Sequence, residues 1–317
     1  MKLELKQPLV FEPLFMERVW GGRRLASELG KKLPPGKLIG ESWEIVDRAD
    51  AQSIVRQGPL RGHTLHELWR DHRRAVFGDE ITDAPRFPLL AKLLDTQEKL
   101  SLQVHPPAEV ANALGGEPKS ELWYFAAAGA GAEIYAGLRR GSQRHEFEEA
   151  LRNDTAADLV HRLKVETGDS FLVPSGRLHA IGAGNLVVEI SQNSDTTYRV
   201  FDWNRPARDT PARQLHLEQS LQSIDFDDFE PTLIRPVGEQ LAQSPLFLVE
   251  KWDLSHPRKA SDRDTFAIFV CLTGAVETAG IQLNIGNFFL MPASAGATEL
   301  KPLVAKTSLL RVTLPGR

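Results

Sequence analysis

The 317-residue sequence is short of cysteine and of long apolar runs. Its single cysteine, Cys271, cannot form an intramolecular disulfide, so we expect a protein of a reducing compartment, the cytoplasm. Apolar stretches such as 266–272 have the length of a β-strand and are far shorter than a membrane-spanning helix. Residues 1–6 lack the apolar segment of a signal peptide, and we therefore expect neither export nor a membrane partner.

Clusters of basic residues are also missing. The chain has 38 Lys and Arg against 42 Asp and Glu, a net charge of -4, and no run rich in Lys or Arg. A nucleic-acid partner is therefore not expected. No Gly-x-Gly-x-x-Gly follows a predicted strand, so the common nicotinamide fingerprint is excluded as well. With 42% hydrophobic and 25% charged residues, the composition is that of an ordinary globular protein.

Strand patterns outnumber helical patterns along the chain. Strands are predicted at 87–94, 99–105, 119–125 and 185–191. Helices are predicted at 63–74, 146–151 and 156–163, the first with a capping box between Thr64 and Glu67. Many short strands with a few inserted helices favour a mainly β fold of antiparallel jelly-roll type over a wound α/β sheet.

A weak internal repeat suggests two such barrels. Residues 168–174 and 286–292 share the frame Gly-x5-Pro, but no histidine stands in the second copy where His179 falls in the first. The alternative is a chance match of two residue types. We predict a metal-binding catalytic domain with helical insertions at 1–210, and a linker followed by a second, metal-free barrel at 211–317.

Two short segments carry candidate metal ligands. Gln103 and His105 alternate on a predicted strand and therefore point to the same face. Residues 168–179 read as a strand, a Pro-Ser-Gly turn and a new strand that carries His179. Nitrogen and oxygen ligands on short strands of a small barrel can hold one divalent metal. The spacing Gly-x5-Pro-x-Gly-x2-His resembles the second sequence motif of the cupin barrel, and Gln-x-His resembles the first.

Two carboxylates compete for a further place at the metal. Glu109 has the spacing His-x3-Glu, but it falls in the first turn of a predicted helix, where acidic residues usually serve the helix dipole. Glu121 lies on a strand with Lys119 on the same face. Burying both charges is costly unless metal, substrate or each other compensates them. On that argument we choose Glu121, with Glu109 as the alternative.

Together these segments resemble a known family. Residues 103–106, 118–123, 178–182 and 189–199 are similar, in order, to the type I mannose-6-phosphate isomerases of the short bacterial form, within the cupin superfamily. The similarity extends from about Phe11 through 20–22 and 40–44 to the second barrel. The resemblance implies an enzyme that interconverts mannose 6-phosphate and fructose 6-phosphate through an enediol. It also implies one Zn²⁺ per chain, bound by four residues: Gln103, His105, Glu121 and His179.

The resemblance also implies roles beside the metal. Arg199 corresponds to the essential arginine of the family, for which we expect stabilisation of charge on the enediolate. Lys119 corresponds to the active-site lysine that precedes the zinc glutamate. Glu189 matches an acidic position of the family and is a candidate base or hydroxyl binder, the alternative being a solvated carboxylate on a strand.

Substrate contacts are predicted at three positions. Ser101 and Arg205 fall where eukaryotic relatives place a phosphate-contacting serine and lysine, although Arg205 differs in type. Lys92, inside an apolar strand, either reaches the cavity or extends from the sheet surface to solvent. An isomerase of an unphosphorylated sugar, a cupin dioxygenase with iron or copper, and a sugar-binding cupin without turnover stay open, as does the oligomeric state, a monomer included.

The other histidines and three of the tryptophans are considered next, and for most of them we expect no role at the site. His63, His66 and His72 are expected on a solvated helix face, and a second group at the surface: His145, His161, His216 and His256. Trp20, Trp43 and Trp123 are either walls of a sugar pocket or, more commonly, core aromatics.

Overall fold

The computed structural model describes residues 5–79, 83–205, 213–261, 265–295 and 297–315. Within these ranges the chain forms short strands that pair antiparallel in several sheets, together with a few short helices. The prediction of a mainly β, antiparallel jelly-roll fold is confirmed.

The N-terminal barrel is built from two facing sheets. The strands of this part are β1 (Leu14–Gly22), β2 (Ile39–Ile45), β3 (Asp47–Arg48), β4 (Ala51–Gln52), β5 (Leu89–Thr96), β6 (Leu102–Val104), β7 (Glu121–Ala128), β8 (Glu133–Leu138), β9 (Val160–Lys164), β10 (Ser170–Val173), β11 (His179–Ile181), β12 (Asn185–Gln192) and β13 (Tyr198–Phe201). One sheet has the order β1-β2-β5-β12-β7-β10, and the other the order β13-β6-β11-β8-β9. Trp123 and Phe125 from the first sheet share an apolar cluster with Ile134 and Ile181 from the second, which closes this end of the barrel.

The second barrel follows with the same two-layer plan. Its strands are β14 (Gln240–Gln243), β15 (Leu248–Leu254), β16 (Arg258–Lys259), β17 (Ala267–Thr273), β18 (Ala275–Thr278), β19 (Ile281–Asn284), β20 (Phe288–Met291), β21 (Glu299–Pro302) and β22 (Thr307–Thr313). Phe269 and Cys271 pack with Leu283 and Leu300 across its interior. The two glycines of the sequence repeat, Gly168 and Gly286, have φ angles of 95° and 77°, and each lies in the turn just before a strand. A left-handed backbone of this kind favours glycine.

Strand β12 explains how one sheet serves two environments. It pairs with β5 on one side and β7 on the other. Alternate side chains of a strand point to opposite faces. Leu186, Val188 and Ile190 join the large apolar cluster outside the barrel, whereas Val187 joins the cluster inside it. Glu189 has the same parity as Val187 and therefore faces the barrel interior, despite its charge.

The large apolar cluster joins the two barrels. It combines the outer face of β5, β7 and β12 with residues of β15, β17, β20 and β22. Leu9 forms a β-bridge to Leu290, and the rings of Phe77 and Phe266 lie 5.4 Å apart. The predicted domain boundary at 210 lies among residues 206–212, outside the described residues, and the division at that point stays a prediction.

The helices are short. They are α1 (Arg24–Ser27), α2 (Leu65–Asp71), α3 (Arg73–Phe77), α4 (Ala108–Ala111), α5 (Arg144–Arg152) and α6 (Leu217–Ser223), with 3₁₀ turns at Ala156–Leu159 and Ala293–Ala295. The capping box at Thr64 and Glu67 is confirmed at the start of α2. None of the helices in the described ranges is long and apolar enough to cross a membrane.

The predicted helix at 156–163 is wrong in its second half. Only its first turn is helical, and Val160–Lys164 forms the edge strand β9, paired with β8. Its buried and more exposed residues alternate, with Val160 buried. Pairing with a neighbouring strand therefore overrides the local helical preference.

Candidate active site

The predicted metal ligands converge inside the N-terminal barrel. Gln103 on β6 stands opposite His179 at the start of β11, and Glu121 begins β7 in the facing sheet. His105 follows β6 directly. The ligand atoms of His105, Glu121 and His179 all lie within 4.8 Å of one another, and the three residues are buried. The alternative ligand, Glu109, lies exposed on α4 and outside this group.

The geometry fits a small divalent cation. His105 Nε2 and His179 Nε2 lie 3.7 Å and 3.5 Å from Glu121 Oε1. Donors around a tetrahedral zinc with bonds of about 2.1 Å lie roughly 3.4 Å apart. His105 Nδ1 donates to the Thr196 carbonyl at 2.7 Å, and His179 Nδ1 donates to the Arg177 carbonyl at 2.8 Å. Both Nε2 lone pairs therefore face the centre, where His105 Nε2 has no hydrogen-bond partner within the described part of the chain.

Gln103 completes the set. Its Nε2 lies 3.4 Å from His179 Nε2, and its Oε1 accepts a hydrogen bond from Ser101 Oγ at 3.2 Å. A half-turn of the amide would exchange these two atoms and present the oxygen to the centre, while the NH₂ group would donate to Ser101. Two imidazoles, a carboxylate and an amide oxygen are donors that suit Zn²⁺.

The ionisation states of the ligands suit a metal. Burial, together with the neighbouring His105, lowers the pKa of His179 to about 3 despite the nearby Glu121 carboxylate. Burial alone would raise the pKa of Glu121, but Lys119, His105 and His179 together outweigh burial and hold that pKa well below its ordinary value. A neutral imidazole and an ionised carboxylate are the forms that bind metal ions.

A lysine bridges the predicted metal ligand Glu121 and the predicted catalytic carboxylate. Lys119 Nζ lies 2.7 Å from Glu121 Oε2, an ion pair without hydrogen-bond alignment, and donates to Glu189 Oε1 at 2.8 Å. Burial disfavours the ammonium form, but the two carboxylates outweigh burial and raise the pKa of Lys119 above its ordinary value. Lys119 is therefore charged, and Glu189 is a buried, paired carboxylate rather than a solvated one.

Lys92 is buried on the inner face of the barrel, opposite Glu189, and does not extend to solvent. Its Nζ lies 3.5 Å from Glu41, 3.9 Å from Glu189 and 3.7 Å from Asp195, and 4.4 Å from the centre of the Trp43 ring. Opposite charges thus alternate across neighbouring strands from Glu121 to Glu41.

Glu41 and Asp195 are site residues that sequence reasoning missed. Glu41 accepts hydrogen bonds from Arg18 at 2.7 Å and from the Trp43 indole at 2.6 Å. Burial would raise the pKa of Glu41, but the charges of Lys92 and Arg18 lower it to about 2. The sequence signal that could have revealed Glu41 is an acidic residue within the segment that forms β2. In the structure every residue of β2 is buried.

Arg199 lies beside Gln103 on the neighbouring strand β13. Its Nε donates to Ser101 Oγ at 3.3 Å, and its Nη1 donates to the Gln214 carbonyl at 2.7 Å. Burial and the charge of Arg213 lower the pKa of this guanidinium. Ser101 thus joins the predicted charge-stabilising residue to the predicted metal ligand.

Two further arginines stand near Arg199. Arg205 lies 3.4 Å from Asp202 and 3.5 Å from Glu98, and Arg213 donates to Asp202 with two nitrogens, one of them at 2.9 Å. Counting the described residues alone, three arginines face two carboxylates at this edge of the site.

His216 is not the partnerless surface residue that the sequence suggested. It is half-buried, and its Nδ1 accepts a hydrogen bond from the backbone N–H of Arg199 at 3.2 Å. His66 likewise has a partner, since its Nδ1 lies 3.1 Å from the buried carboxylate of Asp47. Both contacts join residues far apart in sequence, so local pattern did not reveal them.

The three tryptophans considered as pocket walls are core residues: Trp20, Trp43 and Trp123.

Comparisons with known proteins point to one family. The family model for the catalytic domain of type I phosphomannose isomerase matches residues 9–128. The mannose-6-phosphate isomerase ManA of Bacillus subtilis is 38% identical over 308 residues, which cover 93% of this chain and 96% of that protein. A probable mannose-6-phosphate isomerase of the same organism, GmuF, is 37% identical over 92% of this chain and 95% of its own. The crystal structure of mannose 6-phosphate isomerase from Bacillus subtilis superposes with a TM-score of 0.85 at 32% identity, covering 96% of this chain and 99% of that one.

Proposed function

The chain belongs to the type I phosphomannose isomerase family, and on that premise we propose that it interconverts mannose 6-phosphate and fructose 6-phosphate with one zinc ion per chain. The observation that carries the proposal is the convergence of Gln103, His105, Glu121 and His179 on one buried centre. Lys119, Glu189 and Arg199 lie beside that centre, as the chemistry requires.

The reaction moves a proton between two adjacent carbons through an enediol. Its barrier comes mainly from negative charge that develops on the two substrate oxygens. Zinc, when bound, supplies a Lewis acid that stabilises such charge. Arg199 adds a fixed positive charge on the side of Ser101 and Gln103, and preorganised charges of this kind are usually the largest single contribution to the rate.

Proton transfer needs a base next to the substrate carbons, and Glu189 is our candidate. Among the described residues, its hydrogen bonds from Lys119 and Ser191 both go to Oε1, which leaves Oε2 to receive a substrate proton. Lys119 is held as an ammonium by two carboxylates and therefore serves as a charge that orients Glu189. Positioned proton transfer of this kind contributes typically about 10²–10⁴-fold.

The charge at the edge of the site supports a phosphorylated substrate. Among the described residues, Arg199, Arg205 and Arg213 lie around the carboxylate of Asp202, with Glu98 beside Arg205, and guanidinium groups bind phosphate oxygens in pairs. Ser101, hydrogen-bonded to Arg199, offers a hydroxyl on the same side.

A coupled isomerase assay tests the proposal. Zinc-loaded protein should convert mannose 6-phosphate, lose activity to a chelator and regain it when zinc is added back. Free mannose should react much more slowly. Turnover of free mannose alone would instead indicate an unphosphorylated substrate. Oxygen consumption by iron-loaded protein without any isomerisation would indicate a dioxygenase.

A further inference from the structure

Metal ligand His105 is held by a loop whose course depends on residues remote from the metal. The support loop, residues 193–196, makes up all but the last residue of the connection between β12 and β13. Its last residue, Thr196, offers the carbonyl that accepts the Nδ1 hydrogen bond of His105 at 2.7 Å. That hydrogen bond orients the imidazole, so any displacement of the loop turns or releases a metal ligand.

Two hydrogen bonds join the support loop to Glu117, the residue before Pro118, and a third lies within the loop itself. Thr196 Oγ1 accepts from the backbone N–H of Glu117 at 3.0 Å, and Ser194 Oγ donates to the Glu117 carbonyl at 3.1 Å. Ser194 Oγ also accepts from the backbone N–H of Thr196 at 3.2 Å. The support loop is thus hydrogen-bonded to the backbone of Glu117, which lies four residues before the ligand Glu121.

The Glu117 side chain is itself clamped by two arginines. Arg48 Nη1 donates to Oε2 at 2.8 Å, and Arg86 Nη2 donates to Oε1. Each arginine also donates to the carbonyl of Asn193 at 3.1 Å, so both contact Glu117 and the support loop at once. The buried Asn193 amide donates to the carbonyls of Asp47 and Phe87 at 2.6 Å and 2.7 Å, which fixes the other end of the loop.

Gly116 shows how tightly the loop is packed. A Cβ at this position would stand 2.7 Å from Thr196 Cγ2 and 2.6 Å from the Tyr198 hydroxyl. Contacts below 3.0 Å do not occur without movement, so even a methyl group would displace the side chain of Thr196, that of Tyr198, or both. The position of the Thr196 carbonyl is therefore set from several sides.

We propose that Glu117, with Arg48, Arg86 and the Thr196 hydroxyl, acts as a positioning group that sets the metal affinity of the site through His105. The inference rests on the zinc site of the proposed function. None of these side chains touches the ligand atoms. Their effect passes through the main-chain carbonyl of Thr196. Residues that orient a metal ligand in this way typically alter metal affinity or activity by about 10–100-fold when replaced.

The test compares zinc affinities, measured by competition with a chromophoric chelator. Thr196→Val keeps the shape of threonine but loses the acceptor for Glu117 N–H, and should bind zinc about 10–100-fold more weakly. Thr196→Ser keeps the hydroxyl and should stay close to the parent. Glu117→Gln, which removes the charge between the two arginines, should weaken binding in the same direction. The matched control is Glu109→Gln, an exposed carboxylate on α4.

The electronic spectrum of the cobalt-substituted protein gives a second readout, because its ligand-field bands report the arrangement of the ligands. The bands should shift in Thr196→Val and not in Thr196→Ser. Parental zinc affinity and spectrum in both Thr196→Val and Glu117→Gln would overturn the inference. If Glu117→Gln does not fold, the zinc affinity and spectrum of Thr196→Val alone decide whether the inference holds. A parent that binds zinc tightly but does not isomerise mannose 6-phosphate would instead defeat only the proposed function.

Discussion

At the scale of the single residue, charges inside the N-terminal barrel occur in alternation. Glu121, Lys119, Glu189, Lys92 and Glu41 follow one another across the sheet, and each has an opposite charge within 4 Å. Removing one partner of a buried pair leaves the other uncompensated, which costs about 3–5 kcal/mol. A substitution in this row therefore affects its neighbours as well as its own position.

Glu41 should make the fold sensitive to acid. Its pKa in the folded protein is about 2, against 4.5 for the free side chain. A lowered carboxyl pKa contributes stability that is complete above 4.5 and is lost as the pH falls towards 2, here about 3 kcal/mol. We expect the free energy of unfolding of the parent to exceed that of Glu41→Gln most at neutral pH, with the difference shrinking over that acid range.

Denaturant unfolding of both proteins between pH 7 and pH 2 checks this. Glu109→Gln is the control and should show no such trend, because its carboxylate is exposed. A difference between parent and Glu41→Gln that stays constant with pH would contradict the role of Glu41.

Arg199 should matter for turnover and not for metal binding. Arg199→Ala removes a fixed positive charge beside the reacting oxygens and should lower kcat by at least about 10²-fold. Zinc content should be unchanged, because Arg199 contacts Ser101 and Gln214 and is not a ligand. Steady-state kinetics and elemental analysis measure the two quantities. The exposed Arg152 at the end of α5 provides the control Arg152→Ala, and equal kcat in both variants would refute the role.

At the scale of the element, the start of α2 depends on its capping box. Thr64 Oγ1 accepts from Glu67 N–H at 3.1 Å, and Glu67 Oε2 accepts from Thr64 N–H at 2.8 Å. Thr64→Ala should lower the free energy of unfolding by about 1 kcal/mol, whereas Thr64→Ser should retain most of it. Thermal or denaturant unfolding distinguishes them, and equal losses in both variants would show that the hydroxyl is not the stabilising group.

The elements also show how far sequence alone can lead. Glu67 three residues after Thr64 is a local pattern that led to the capping box of α2. Gln103 two residues before His105 is another, and in the structure both side chains lie close to His179. The resemblance supplied the grouping of Gln103, His105, Glu121 and His179, which the structure brings together. Other features depend on partners distant in sequence: the pairing of β9 with β8, the contact of Glu41 with Lys92, and the hydrogen bond from His105 to Thr196. Periodicity contains no information on such partners.

At the scale of the whole molecule, the two barrels share one apolar cluster. The outer face of the N-terminal barrel is covered by the second barrel, with Phe77 against Phe266 and Leu9 paired to Leu290. Neither barrel can separate without exposing that cluster to water, which is unfavourable by about 25 cal/mol per Å² of apolar surface.

We therefore expect the metal-free protein to unfold in one cooperative transition. Calorimetry should give a single peak whose calorimetric and van't Hoff enthalpies agree. Zinc at one hundred times its Kd should then stabilise the folded state by about 2.7 kcal/mol and raise Tm. Two separate peaks in the metal-free protein would show that the predicted domains, 1–210 and 211–317, unfold independently.

The hydrogen bonds that orient His105 and His179 end on the carbonyls of Thr196 and Arg177, which belong to the main chain. Every amino acid carries that oxygen, so no codon change at either position can delete the acceptor that selects the imidazole tautomer. A substitution can disturb these two hydrogen bonds only by displacing the backbone that carries the carbonyl groups.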